Sequence, residues 1–176
     1  MKQNLLLTSY DYDVSKRLAS ELAESFSMRV LNQIELFEFD NMPNTFKDVL
    51  EKNGIEYVKK EMNSIIKMEL DFDDTVFVAN INFADTMKDM FYKIKLSNFV
   101  ILLKKDIEQE IKELEDKIFE TEEEKKFFVS NRVELEKREY VLTQDCADIV
   151  VDITNLSDEE IIENIVDKIK NYYSVN

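Results

Sequence analysis

Residues 5–27 read LLLTSYDYDVSKRLASELAESFS, and this stretch decides the fold. Leu5–Thr8 is a short apolar run after a polar start, the pattern of a parallel strand buried on both faces. Ser9–Val14 reads as a turn. Ser15–Ser27 reads as an amphipathic helix, with Leu18, Leu22 and Phe26 on one face, Ala19 and Ala23 beside them, and Asp13 as the N-cap. In a chain that begins strand, turn, helix, a phosphate is expected at the turn, on the free amides of the helix N-terminus. This turn holds Asp11 and Asp13 and no glycine.

The glycine count extends that observation to the whole chain. Gly54 is the only glycine among 176 residues. Phosphate-cradling loops need several, because their backbone takes positive φ and comes close to the phosphate. Neither GxxxxGK[ST] nor GxGxxG can be built anywhere.

Outward from the first unit, strand and helix alternate. Arg29–Leu31 is a short second strand, followed by a loop or broken helix, NQIELFEFDNMPN, that holds the only proline, Pro43. Helical spacing resumes over Thr45–Leu50, stops or bends at Gly54, and continues over Tyr57–Leu70 with Val58, Met62, Ile65, Ile66 and Glu69. Thr75–Ile81 is a strand, Ala84–Ile94 a helix, and Asn98–Leu103 the most strand-like segment. Asp106–Phe128 is a long charged helical region with a narrow stripe of Ile107, Ile111, Leu114 and Ile118. A helical piece over Asn131–Tyr140 follows, then a strand over Ala147–Ile153. Ser157-Asp-Glu-Glu160 is a capping box opening a helix with Ile161, Ile162, Ile165, Val166 and Ile169 inward. The order predicts a three-layer α/β/α fold around a central, mostly parallel five-stranded sheet, as one domain over residues 1–176. Ligands in such folds sit beyond the carboxyl ends of the strands. The candidate regions are Ser9–Lys16, Asn32–Glu38, Asn80–Phe83 and the loops around Lys104 and Arg138.

Composition narrows the chemistry. The net charge is −15, which repels phosphate backbones and excludes a nonspecific nucleic-acid binder. There is no histidine, so histidine triads and histidine-ligated zinc are excluded, and a general base must be Asp, Glu, Lys, Tyr or a perturbed Cys. Cys146 is the only cysteine, which rules out an internal disulfide; it reads as a small apolar residue at the start of a strand, and its acidic neighbours Asp145 and Asp148 disfavour a thiolate. At 44% hydrophobic and 35% charged the chain is globular in character, and no apolar run approaches the roughly 20 residues of a membrane helix. The opening residues do not read as a secretory signal, so a cytoplasmic location with no membrane association is expected.

With these segments laid out, the chain resembles the shikimate kinase family of P-loop phosphotransferases, which have the nucleoside-monophosphate-kinase type of fold. The resemblance runs from about Leu5 to Lys168. The family's first strand, phosphate loop and helix look like residues 5–32, and its glycine-containing helix looks like FKDVLEKNGIEYVKKEM, 46–62. The strand before its lid looks like NFVILLKKD, 98–106, and its Arg-x-Pro-Leu-Tyr segment with the following strand and helix looks like residues 138–165. A lid-like helical region then covers about 106–138.

The resemblance implies a nucleotide site whose residues are replaced here. The phosphate loop, glycine-rich and ending Gly-Lys-Ser/Thr in the family, aligns with Ser9, Tyr10, Asp11, Tyr12, Asp13, Val14, Ser15 and Lys16. The lysine falls on Ser15 and the magnesium-ligating hydroxyl on Lys16; a shift of one residue restores the hydroxyl at Ser15 but puts Val14 in the lysine's place. The family's Asp-x-Asp looks like Asn32-Gln-Ile34, and its Gly-Gly-Gly substrate loop looks like Asn80-Ile-Asn82. Of the two arginines that hold the shikimate carboxylate, one looks like Lys59, which lacks the bidentate fork, and the other like Arg138. Lys117, Lys125 and Arg132 are candidates for the lid arginine.

Other readings of the same residues are plainer. Asp11, Asp13 and the DFDD run 71–74 suggest a hard-cation site, but DFDD lacks the twelve-residue calcium loop, and a polar turn and a helix terminus account for them; no metal ligand set is assigned. Lys16 and Arg17 could hold an anion at a helix start or form a surface pair. Lys59 and Arg138 could hold a carboxylate. Tyr10 and Tyr12 read as fillers of a vacated phosphate pocket. The stripe Ile107–Ile118 reads as a solvated lid helix before a partner-facing one. The expected function is that of a catalytically degenerate shikimate-kinase-like protein without a working ATP phosphate loop, acting as a binding or regulatory partner for a small anion or a protein. ATP and magnesium, the family's cofactors, are expected to bind weakly or not at all. The alternative is a phosphotransferase with a nucleotide site rebuilt on Lys16, Arg17 and Lys104.

Overall fold

The computed structural model describes residues 4–81, 83–116 and 141–175, together with 122, 125, 126, 129, 130, 132 and 133; of residues 86, 114, 141 and 175 it describes the backbone alone. Asn82, Arg138, Lys117, the piece Asn131–Tyr140 apart from 132 and 133, and most of the lid-like region beyond 116 lie outside the described residues.

The first unit is β1 (Asn4–Ser9) followed by α1 (Tyr12–Phe26). Then come β2 (Arg29–Asn32), α2 (Gln33–Asp40), α3 (Phe46–Asn53), α4 (Ile55–Glu69) and β3 (Thr75–Val78). After β3 the chain runs through α5 (Phe83–Thr86), a 3-10 turn (Lys88–Met90), α6 (Phe91–Ser97) and β4 (Asn98–Lys104). It continues with α7 (Ile107–Asp116), α8 (Val141–Cys146), β5 (Ile149–Asp152) and α9 (Asp158–Val175). The five strands lie in the order β2-β3-β1-β4-β5, and each neighbouring pair is parallel. β1 is central, with Leu6 opposite Phe77 of β3 and Val100 of β4.

Alternation along the strands sorts the core into two layers. Leu5, Leu7, Val76, Val78, Phe99, Ile101 and Leu103 face α1 and α9, meeting Leu18, Leu22, Ile161, Ile165 and Ile169. Leu6, Phe77 and Val100 face the other way, onto Phe37, Val58, Met62, Ile66, Phe83 and Ile94. With helices on both sides, every residue of β1, β3 and β4 but Lys104 is buried, and this is why the strands read as continuous apolar runs.

Several expected boundaries move. α1 begins at Tyr12 rather than Ser15, and its N-cap is Asp11 rather than Asp13, because the extended Asp11 carboxylate accepts from the amides of Asp13 and Val14. The mixed segment after β2 is a helix, α2, capped by Asn32. Gly54, at φ 81°, both ends α3 and opens α4. The helix expected over Ala84–Ile94 is broken at Met87 (φ −124°, ψ 44°), whose buried side chain joins the core with Ile94. Cys146 closes α8 in that core instead of opening β5. The Ser157 capping box forms, with the Glu160 carboxylate accepting from Ser157 N at 2.8 Å. Among the described residues no helix is long and apolar enough to cross a membrane.

Phe77 lies fully buried beside Leu6 in the second layer. Phe77→Ala is expected to lower unfolding stability by about 3–5 kcal/mol, read as a shift of the urea midpoint at unchanged slope.

Candidate functional site

The carboxyl end of β1 passes into α1 through only Tyr10 and Asp11. The Asp11 carboxylate lies across the helix start, accepting from Asp13 N at 3.1 Å and Val14 N at 3.4 Å. These are the amides a phosphate would need, so a carboxylate of the chain itself occupies the anion position. Below it, Ser9 Oγ donates to the Asp11 carbonyl, and the buried Ser15 Oγ donates to Ser9 Oγ at 3.0 Å. Hydroxyls aligned with a phosphate loop are thus used to brace the turn.

Both tyrosines of the turn pack inward. The Tyr12 phenol donates to Asn32 Oδ1 and accepts from Ile34 N at 3.2 Å, and burial pushes its pKa well above the ordinary phenol value. Asn32 Oδ1 also accepts from Ile34 N and Glu35 N, both at 3.1 Å, so the residue at the Asp-x-Asp position is a helix cap. Ile34 is half-buried against the second core layer. Tyr10 lies under the Arg132 guanidinium, 4.5 Å from its ring centroid. Arg132 pairs with Glu110 of α7, and both are buried, at 2% and 8% exposure. Burial raises the pKa of both Tyr10 and Glu110, and the Arg132 charge opposes this in both. The space left among Tyr10, Ile81, Leu102, Lys104, Glu110 and Arg132 is about 10 Å³, no more than one water can use.

Lys16 and Arg17 lie in the second turn of α1 and diverge. Lys16 Nζ pairs with Glu35 of α2 at 2.7 Å, while Arg17 reaches Asp158 of α9, Nη2 to Oδ1 at 3.0 Å. They do not form one cationic cradle with Lys104.

A second depression lies beyond the β2 and β3 ends. It has a volume of about 120 Å³ and is lined by Gln33, Phe46, Lys59, Met62, Asn63 and Asn80 among others. Lys59 and Asn80 therefore come together, while Asn32 and Ile34 are drawn to Tyr12 and the core. The Lys59 ammonium pairs with Glu56 at 3.2 Å on an open surface. Gln33 organises this depression: it is buried, donates to the Met62 carbonyl at 3.1 Å and accepts from Asn80 N at 2.8 Å. Nothing in its sequence context marks it; a buried glutamine is recognised only by the two backbone groups it satisfies. Glu110 was likewise hidden in an acidic helix.

The residues of this turn do not suit a nucleotide phosphate with magnesium. The first amides of α1 carry the Asp11 carboxylate, and Asn32 and Ile34 offer a metal no carboxylate.

No family model and no curated protein matches the chain. Solved structures do. Shikimate kinase from Aquifex aeolicus matches with a TM-score of 0.72 and 14% identity, over 98% of this chain and 99% of that one. The shikimate kinase of Acinetobacter baumannii, in complex with shikimate, matches with a TM-score of 0.75 and 13% identity, over 96% and 93%. The YorR protein of Bacillus subtilis, in complex with phosphorylated GDP, matches with a TM-score of 0.62 and 15% identity, over 97% and 98%. The chain thus has the three-layer fold of the shikimate kinases and related P-loop kinases.

Asp11→Ala removes the acceptor for two α1 amides and is expected to cost about 1 kcal/mol, whereas Asp11→Asn keeps a good cap and costs less; urea unfolding of the two variants checks the difference.

Proposed function

We propose that this protein is a shikimate-kinase-like scaffold whose nucleotide site has been given over to internal contacts, and that it acts by binding, as a regulatory or sequestering partner, rather than by phosphoryl transfer. The observation that carries this reading is the Asp11 carboxylate on the Asp13 and Val14 amides. Phosphoryl transfer depends on positioning the phosphates and neutralising their charge with amides, lysine and magnesium. A phosphate brought to about 4 Å from a carboxylate costs about 4 kcal/mol at a surface-like dielectric, close to a thousandfold in affinity. The Tyr10–Arg132–Glu110 contact adds to this, since a nucleotide would have to break a buried ion pair to enter.

The depression at Lys59, Asn63 and Asn80 supports a small anionic ligand as the bound species. Its volume of about 120 Å³ suits a compact acid rather than a nucleotide. Lysine there offers a point charge on a flexible stem, which favours charge recognition over the shape-specific grip of an arginine.

Isothermal titration with ATP-Mg should show no saturable heat up to millimolar nucleotide, and a coupled assay for ADP release should stay at background with shikimate present. Micromolar ATP affinity accompanied by turnover would overturn the proposal in favour of a phosphotransferase with a rebuilt nucleotide site.

A further inference from the structure

At the opposite end of the sheet from the turn, the amino ends of β1, β3 and β4 meet the last turn of α4. Glu69 of α4 points into this junction with no exposure to solvent. Its carboxyl contacts Asn4 Nδ2 of β1 at 3.3 Å, Thr75 Oγ1 of β3 at 3.3 Å and Asn98 Nδ2 of β4 at 3.5 Å. Asn4 ties the same corner further, donating to the Phe72 carbonyl at 2.8 Å and accepting from Thr75 N at 3.2 Å.

Three features set this carboxyl apart. Among the described residues each of its partners is a neutral donor, and no cation reaches it. The contacts are long, at 3.3–3.5 Å, where bonds to an ionised carboxylate run about 2.7–2.9 Å. Beside it, Asn98 Oδ1 is buried and has no hydrogen-bond partner, so the corner has an acceptor to spare. A neutral carboxylic acid brings a donor to such a corner, while an ionised one brings only further acceptors. The charged groups of the surrounding elements, Lys67 on α4, Asp71, Asp73 and Asp74 in the following turn and Lys95 on α6, make no hydrogen bond to it, and all but the half-buried Lys95 are exposed.

We propose that Glu69 is a proton-operated latch: carrying its proton, it joins α4 firmly to the starts of β1, β3 and β4, and on ionisation that join weakens. The latch is built into the helix that supplies Val58, Lys59, Met62 and Asn63 to the depression beyond β2 and β3, so the proton acts on the element that shapes that wall. Burial pushes the Glu69 carboxyl up to about 7 from the ordinary 4.5, and the hydrogen bonds from Asn98 and Thr75 oppose it only in part. The sign follows from proton counting. Between these two values the folded chain keeps the proton and the unfolded chain has released it, so the stability Glu69 contributes is full at acidic pH and is lost as pH rises through the window.

The experiment is urea unfolding of the wild-type chain and of Glu69→Gln, a neutral group of the same shape, at a series of pH values. The net charge of −15 changes stability with pH in both, so the difference between them isolates the latch. The unfolding constant of the wild type relative to the variant is expected to rise about tenfold per pH unit from pH 4.5 to pH 7, about 300-fold in all, and then level off. Parallel pH profiles would overturn the proposal. Should Glu69→Gln not fold, the side-chain amide resonances of Asn4 and Asn98 in the wild type decide: a shared titration with a midpoint near 7 supports the latch, and invariance from about pH 5 to about pH 8 rejects it.

Discussion

A strand buried on both faces here passes its chain to a helix whose first amides have no partner within the helix and need an acceptor. In this molecule the strand is β1, central in the sheet, and the acceptor is the carboxylate of Asp11. Much else at that end of the sheet follows from the choice. With the carboxylate in place, the turn needs only Tyr10 and Asp11, and α1 starts at Tyr12. The early start swings the Tyr12 ring toward the β2 end, where it meets the Asn32 cap. It also leaves Tyr10 as the floor on which Arg132 rests. The turn between β1 and α1 is thus closed by a charge, two rings and a buried ion pair.

The two ends of the sheet meet the same constraint in different ways. At the carboxyl ends, buried charge is paired: Arg132 with Glu110, and outside it Lys16 with Glu35. At the amino ends, Glu69 is buried among amides and a hydroxyl, and no counter-ion reaches it among the described residues. A paired charge keeps its ionisation when desolvated, whereas an unpaired one adapts by taking up a proton. The second end is therefore the one that responds to a proton. At the amino ends the contacts join α4 to three strands distant in the chain, while at the carboxyl ends the Lys16–Glu35 pair joins α1 to α2.

The likeness to shikimate kinases is likewise one of frame. Nearly the whole chain follows their course at 13–15% identity, so the apolar alternation and the crossings are kept while individual side chains are not. Frame and site are separable in this way because a parallel sheet asks only for apolar strands and covering helices, whereas a phosphate site asks for particular backbone conformations in one turn. The depression by Lys59 and Asn80 is held by Gln33, which bonds the Met62 carbonyl and the Asn80 amide.

How much could be read in advance follows the range of the forces concerned. The order of strands and helices was legible because periodicity and burial on both faces leave their mark within a few residues, as in Leu5–Thr8 and Asn98–Leu103. The absence of a glycine-rich phosphate loop was legible too, since such a loop needs several glycines and Gly54 is the only one in the chain. The choice of Asp11 over Asp13 as the cap was not, because both carboxylates can reach free amides and the end of β1 decides between them. Arg132 over Tyr10, Gln33 under Asn80 and Glu69 among Asn4, Thr75 and Asn98 were out of reach altogether. The sequence by itself determined which backbone shapes this chain can take. Only the tertiary structure decided which polar groups are stripped of water and what they then find, because desolvation depends on partners that the folding of distant segments brings together.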